Sequence, residues 1–381
     1  MLISIFYIFV SCIIIWRSSH GFEIASDYLG RRLPPGIKGA SINAIASSMP
    51  EFLTTMFFLF YLRDADGFSG GLGVTSGSAL FNLLIIPALV VLILVTSVKR
   101  NNIKLNKKVL LREGGVLLLS QLIFIRILFK GELLARHGLV LVLVYLLYLG
   151  LLFAITRKRK IEDPGYKLAN EHLTRRPLRG IVILDLTAMV LDGRKITAGR
   201  AWLLLAISTI VMTFGSWLLV FGTDLFGEAT RIPLIFVAVV LSAAATSVPD
   251  TIISIKDARK GNYDDAVSNA LGSNIFDIAF ALGFPLLLYN LVYRESIVLQ
   301  QDLLAFTQEV WVFLLLATFL ALVIMLIGKK FSRIQALLLL CIYLIFLVFV
   351  VTQVEKDLSG LGEQLGGFLR KVAFWIGVYL H

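Results

Sequence analysis

Residues 39–52 read GASINAIASSMPEF, and residues 238–251 read AVVLSAAATSVPDT. At one constant offset, Ser47 pairs with Thr246, Ser48 with Ser247, Pro50 with Pro249 and Glu51 with Asp250. Pro34 and Pro233 fall at the same offset, at the mouth of each segment. Further along, residues 77–82 (GSALFN) echo residues 272–277 (GSNIFD) at a slightly shorter offset, because the first copy has the longer connecting loop. A repeat of this kind decides the architecture before any single motif does.

The chain around the two copies is built for lipid. Of its 381 residues 58% are hydrophobic and only 16% are charged, and the mean hydropathy is +0.86. A soluble domain carries roughly 25% charged residues, so disorder, a collagen-like repeat and a disulfide scaffold are all excluded. Cys12 and Cys341 lie inside apolar runs and give no disulfide or metal-ligand spacing. His20, His137, His172 and His381 are too scattered for a zinc or histidine-based catalytic site.

A membrane helix needs about 20 mostly apolar residues. Ten such segments are predicted, near 2–28, 36–61, 71–97, 109–129 and 138–156, then near 200–224, 232–256, 264–292, 307–327 and 333–352. The fold class is therefore an all-α integral membrane protein with ten transmembrane helices. It divides into a five-helix repeat (1–156), a short basic connection (157–199), a second five-helix repeat (200–352) and an amphipathic tail (353–381). The first span is interrupted by Arg17, Glu23 and Asp27, which implies a tilted or shorter helix. Its apolar start has neither the basic flank nor the small-residue cleavage site of a signal peptide. Five spans separate equivalent positions, so the two copies run in opposite directions. Inverted repeats with interrupted helices at matching positions point to a transporter site at the bilayer midplane.

Basic residues predict the orientation. They crowd the connections after spans one, three, five, seven and nine, with Lys99, Arg100, Lys104, Lys107, Lys108 and Arg112 in one of them. The opposite connections hold only Arg63, Lys130, Arg136, Arg231 and Arg294. The net charge of +11 is thus a topology signal and no nucleic-acid footprint. Both termini are expected outside and residues 157–199 in the cytoplasm, with the plasma membrane as the expected host.

The paired motifs carry the chemistry. Pro50 and Pro249 each interrupt a membrane helix and free the carbonyl four residues earlier, on Ala46 and Ala245. In lipid that is tolerated where the backbone lines a cavity. Helical spacing places Ser47 and Ser48 on one face with Glu51, and Thr246 and Ser247 with Asp250. In the partner helices, Ser78 shares a face with Asn82, and Ser273 with Asp277. All are hard oxygen donors of the kind calcium takes 6–8 of, and sodium accepts the same donors. Small hydroxyl residues also serve plain helix packing. Three carboxylates in register, each costing at least ~2.5 kcal/mol at mid-membrane, favour cation coordination instead. One divalent ion leaves one of three negative charges over, so a monovalent cation or a proton completes the balance.

On these residues the sequence resembles the cation/calcium exchanger superfamily, whose α1 and α2 repeats match SSMPE with GSALFN and TSVPD with GSNIFD. Within it, ATSVPDTI and DDAVSNALGSNIFD are most similar to potassium-dependent sodium/calcium exchangers. The strong correspondence covers 36–97 and 232–285. The resemblance implies the sodium/calcium exchanger fold and alternating access that exchanges sodium for calcium. It also implies Glu51 and Asp250 as central ligands, with Ser47, Ser48, Thr246 and Ser247 as further donors. Ser78, Asn82, Ser273 and Asn274 would stand around the rim. Asp277 occupies the position that carries Asp in potassium-dependent members, which implies potassium cotransport. The lipid bilayer and the transported ions are the expected partners, with no cofactor beyond those ions; homo-oligomerisation stays open. Departures are Ile45 and Ala46 before the first serine pair, Met49, and the absence of a long regulatory loop. A proton- or other cation-coupled exchanger using the same carboxylates is the alternative. An intramembrane aspartyl protease is not, because its YD and GxGD pattern is missing: Val74 follows Gly71-Leu72-Gly73, and Asp250 follows Pro249.

Four lesser features complete the reading. Gly70, Gly71, Gly73 and Gly77 suggest close helix packing, since no Lys-Ser/Thr follows as in a phosphate loop. Arg126 is expected to snorkel, and Asp64 and Asp66 to be solvated loop residues. The apolar run 181–191 suggests an interfacial helix and no eleventh span, being short and interrupted for that purpose by Asp185. The tail, with Leu361, Leu365, Phe368, Leu369, Val372 and Trp375, suggests a surface-lying amphipathic helix.

Overall fold

A long apolar chain in lipid must bond its backbone amides within helices. The computed structural model describes residues 1–31, 33, 39–63, 65–97, 102–103, 105–156, 183–259, 261, 263–328, 330–354 and 359–379. Pro34, Asp64 and segment 157–182 therefore lie outside the described residues. The first half comprises α1 (Leu2–Leu29), α2 (Ala44–Leu62), α3 (Ala65–Leu80), α4 (Ile86–Ser97), α5 (Lys107–Leu128) and α6 (Ala135–Thr156). A short α7 (Leu186–Leu191) leads to the second half: α8 (Ala198–Thr230), α9 (Leu234–Val237), α10 (Ala243–Thr246), α11 (Val248–Arg259), α12 (Tyr263–Phe276), α13 (Gly283–Tyr293), α14 (Gln301–Leu326) and α15 (Arg333–Val354). The chain ends in α16 (Ser359–Tyr379).

Among the described residues nine helical segments are long and apolar enough to cross a membrane. They match nine of the ten predicted spans with ends shifted by a few residues. The predicted fourth span is also helical, α5, but its Lys107, Lys108, Arg112, Glu113 and Arg126 make it too charged to join them on composition. Two of its polar groups find partners inside the bundle. Fully buried Glu113 binds Arg112 and the Tyr148 hydroxyl, and Gln121 Nε2 donates to Thr318 Oγ1 at 2.8 Å. The first span is one unbroken helix of 28 residues through Arg17, Glu23 and Asp27.

The inverted repeat is visible in the backbone. π turns stand at corresponding places in the two halves: Gly39–Asn43 with Ala238–Ser242, and Phe81–Ile85 with Asp277–Ala281. Two short antiparallel pairs tie the halves together. Asn102 and Ile103 face Ser332 and Phe331, while Glu132 and Leu133 face Val298 and Ile297. The repeat offsets convert one pair into the other, residue for residue. The halves also exchange helices: α3 packs on α9 and the Ala238–Ser242 turn, and α12 packs on the Gly39–Asn43 turn. Glycine permits the first approach. A Cβ at Gly77 would stand 2.1 Å from Val239 O, and one at Gly73 would stand 2.8 Å from Ile235 O. The glycine run is thus a packing device, as expected.

The tail and the described end of the central connection, residues 183–199, pack on the bundle. Helix α16 docks on α14, α15 and α5, burying Leu369 and Ala373. Arg370 Nε reaches the nearly buried Glu309 Oε1 at 2.8 Å. Asp185 caps a short helix, its Oδ1 accepting from Ala188 N at 3.0 Å. The capped helix α7 buries Leu186 against Ala25 and Leu204.

Candidate cation site

The site forms where the sequence motifs break their helices. Pro50 lies inside α2, with the Gly39–Asn43 π turn upstream of Ser47. In the second half the Ala238–Ser242 π turn precedes α10, which stops at Ser247 just before Pro249. The other two π turns hold Asn82 and Asp277. Each π turn wedges an extra residue into the ladder, a distortion common at functional sites.

All eleven predicted site residues, Ser47, Ser48, Glu51, Ser78, Asn82, Thr246, Ser247, Asp250, Ser273, Asn274 and Asp277, are 0% exposed. Most are joined across the two halves. Ser78 Oγ donates to Glu51 Oε1 at 3.0 Å and lies 3.0 Å from both Thr246 Oγ1 and Ser247 Oγ. Its repeat mate Ser273 donates to Asp250 Oδ1 at 2.8 Å and lies 3.1 Å from Ser47 Oγ. Asn82 Nδ2 donates across the halves to Asp250 Oδ2 at 3.0 Å. Asn274 Nδ2 donates to Ala79 O at 2.9 Å, so it pins the first half's backbone.

Ser48 and Asp277 stand outside this hydrogen-bonded set. Ser48 Oγ, Glu51 Oε2, Asn82 Oδ1, Asn274 Oδ1 and both Asp277 carboxylate oxygens are buried without a hydrogen-bond partner. Asp277 is within range of repulsion from Glu51 and Asp250. Among the described residues no three acidic, histidine or cysteine side chains converge tightly enough to form a metal site by themselves. The donor set is instead carboxylate mixed with hydroxyl and amide oxygen. Buried oxygens without partners are costly, and a hard cation or a proton is what satisfies them. The unpaired atoms are all oxygens, which fits calcium or sodium and not a soft metal.

One member of the cluster escaped the sequence reading. Asn269, fully buried, directs Nδ2 at Asp250 Oδ1 from 3.5 Å and leaves its Oδ1 unpaired. It precedes Ser273 by one helical turn in α12, the spacing that could have revealed it. The equivalent residue of the first half is Val74, so the repeat hides it.

The family model described as sodium/calcium exchanger protein matches residues 3–154 and 200–352. Sodium/potassium/calcium exchanger 2 of Mus musculus is 37% identical over 143 residues, 38% of this chain and 21% of that protein. The match to its human counterpart is similar, so the chain spans about a fifth of the length of these relatives. Inner membrane protein YrbG of Escherichia coli (strain K12) is 26% identical over 292 residues, 76% of this chain and 81% of that protein. Among solved structures, the H+/Ca2+ exchanger CAX aligns with a TM-score of 0.70 at 15% identity, covering 98% of this chain and 87% of that one. The sodium-calcium exchanger NCX_Mj aligns at 0.57 and 21% identity, covering 91% of this chain and 98% of that one. At these identities the two structures speak for the fold alone. With the family model covering both halves of the inverted repeat, the chain belongs to the sodium/calcium exchanger protein family.

Proposed function

We propose that this membrane protein is a secondary antiporter exchanging sodium for calcium by alternating access, with Glu51 and Asp250 as the central ligands. The observation that carries the reading is the reciprocal pair of serine bridges: Ser78 bonds Glu51 while touching Thr246, and Ser273 bonds Asp250 while touching Ser47. Neither half completes the cluster alone, so rocking one half against the other opens it to one side at a time. Asp277 is the proposed potassium ligand, because its two oxygens supply a charge that one calcium ion leaves over. Ser48, Asn82, Ser247 and Asn274 are proposed as further oxygen donors. We place the termini outside and the central connection in the cytoplasm of a plasma membrane.

The second reading couples calcium to protons. Glu51 Oε2 and both Asp277 oxygens lack hydrogen-bond partners, and protonation neutralises such groups as well as a monovalent cation does. Calcium uptake into reconstituted vesicles, with sodium, potassium and pH gradients imposed one at a time, decides between them. Uptake driven by an outward sodium gradient is the expected result. Uptake that ignores sodium and follows the pH gradient would replace the first reading with the second.

A further inference from the structure

Two charged residues of the first span, Arg17 and Glu23, take no part in the cation cluster. Glu23 Oε2 lies 3.3 Å from Lys256 Nζ of α11 and 3.4 Å from His20 Nδ1. Arg17, among the described residues, has no acid partner; its guanidinium carbon sits 4.8 Å from the centroid of the Trp16 ring. These groups rim a cavity of about 250 Å³ between α1 and α11. Its apolar wall is Trp16, Pro249, Ile252 and Ile253. The wall belongs to the face of α11 turned away from α12, whereas Asp250 and Ser254 meet α12. The cavity is therefore distinct from the cation cluster, although Pro249 is the immediate neighbour of Asp250.

Trp16 joins the cavity to the exposed apolar side of α1. Phe6, Phe9, Ile13 and Trp16 are exposed along that side. Helix α1 has 28 residues, about 42 Å at ~1.5 Å per residue, which exceeds a hydrocarbon core of ~30 Å. The apolar run of α1 ends at Trp16 and polar residues cluster from Arg17 to Glu23, which puts the boundary near His20. Arg17 lies about one turn deeper, within reach of the boundary by snorkelling. Lys256 meets the same boundary from α11.

We propose that this cavity binds an anionic phospholipid, with its phosphate held by Arg17 and Lys256 and the start of its acyl chains against Trp16, Pro249 and the two isoleucines. Charge and geometry both select this occupant. Two fixed cations face one carboxylate, leaving net positive charge at headgroup depth. Arg17 has its fork of donors free, and the Lys256 ammonium has three donors, of which Glu23 and His20 engage two. Basic pockets between membrane helices are suited to lipid phosphates. Glu23 competes with the phosphate for Lys256 and so weakens binding.

The test is lipid retention by the purified full chain, read by native mass spectrometry after reconstitution in phosphatidylcholine doped with phosphatidylglycerol. One retained phosphatidylglycerol per chain is expected, in preference to phosphatidylcholine. Arg17→Gln and Lys256→Gln should each weaken it about fivefold, since a basic group near the membrane surface contributes ~1 kcal/mol. Glu23→Gln should strengthen retention, a direction that a purely structural ion pair would not give. Arg333→Gln, an exposed cation at the start of α15 and away from the cavity, should leave it unchanged. No preference for phosphatidylglycerol, or a preference indifferent to Arg17 and Lys256, would overturn the proposal. Arg17→Lys and Lys256→Arg should retain the lipid, which separates lost binding from lost folding. Free inorganic phosphate at the same concentration should not compete; if it displaces the lipid fully, the site is an anion site without acyl recognition and the proposal fails.

Discussion

Ser47 Oγ and Ser273 Oγ lie 3.1 Å apart although 226 residues separate them in the chain. Their repeat mates, Ser78 and Thr246, meet at 3.0 Å. A contact and its inverted copy thus fasten the two halves together at the level of the carboxylates. Motion that separates the halves must break these hydroxyl contacts, and each broken contact frees an oxygen beside Glu51 or Asp250.

Close approach of α3 to the second half depends on Gly77. Gly77→Ala places a methyl group 2.1 Å from Val239 O and 2.6 Å from the Ala243 Cβ, overpacking that costs about 1–3 kcal/mol or more. Gly150→Ala, with nothing within 4 Å, should instead gain up to about 1 kcal/mol of helix propensity. Thermal melting in detergent should show opposite shifts for the two variants. Equal shifts would contradict the packing role assigned to Gly77.

Arg370 adds an ion pair to the apolar packing of the terminal helix. Its bond to Glu309 joins a half-exposed cation to a carboxylate that is only 3% exposed. Between the values for exposed and buried pairs, Arg370→Gln should cost about 1–3 kcal/mol. Glu309→Gln should cost less, because the amide left behind is cheaper to bury than a carboxylate. A melting temperature unmoved by Arg370→Gln would show that the apolar contacts of α16 hold it without the ion pair.

Potassium dependence rests on one residue. If Asp277 supplies the negative charge that potassium balances, wild-type calcium flux requires potassium and Asp277→Asn flux does not. Vesicle uptake with and without potassium on the calcium side measures this. A wild-type flux indifferent to potassium would remove that role from Asp277.

Much of this was legible in the sequence. Pro50, Pro249 and the paired hydroxyl–carboxylate positions announce interrupted helices of opposite direction, because a buried acid and a helix-breaking proline both carry energetic costs that chance composition does not repeat in register. What stayed hidden has no periodic signature. Asn269 has only Val74 as its repeat mate. The pairing of Glu23 with Lys256 joins residues from opposite halves of the chain, and the Arg370–Glu309 ion pair of α16 likewise joins helices that the sequence does not bring together. Helix α5 is legible by length although its charges disguise it, because Arg112 pairs with Glu113 and the Tyr148 hydroxyl bonds it only after folding.

Calcium binding by the purified protein, measured by titration calorimetry in sodium-free buffer, tests most directly whether the halves share one site. Glu51→Gln and Asp250→Asn should each abolish binding while the protein melts as cooperatively as wild type. The double variant should be no worse than either single one, as expected when two groups act through one shared ligand. Calcium bound with wild-type affinity by either single variant would contradict the account.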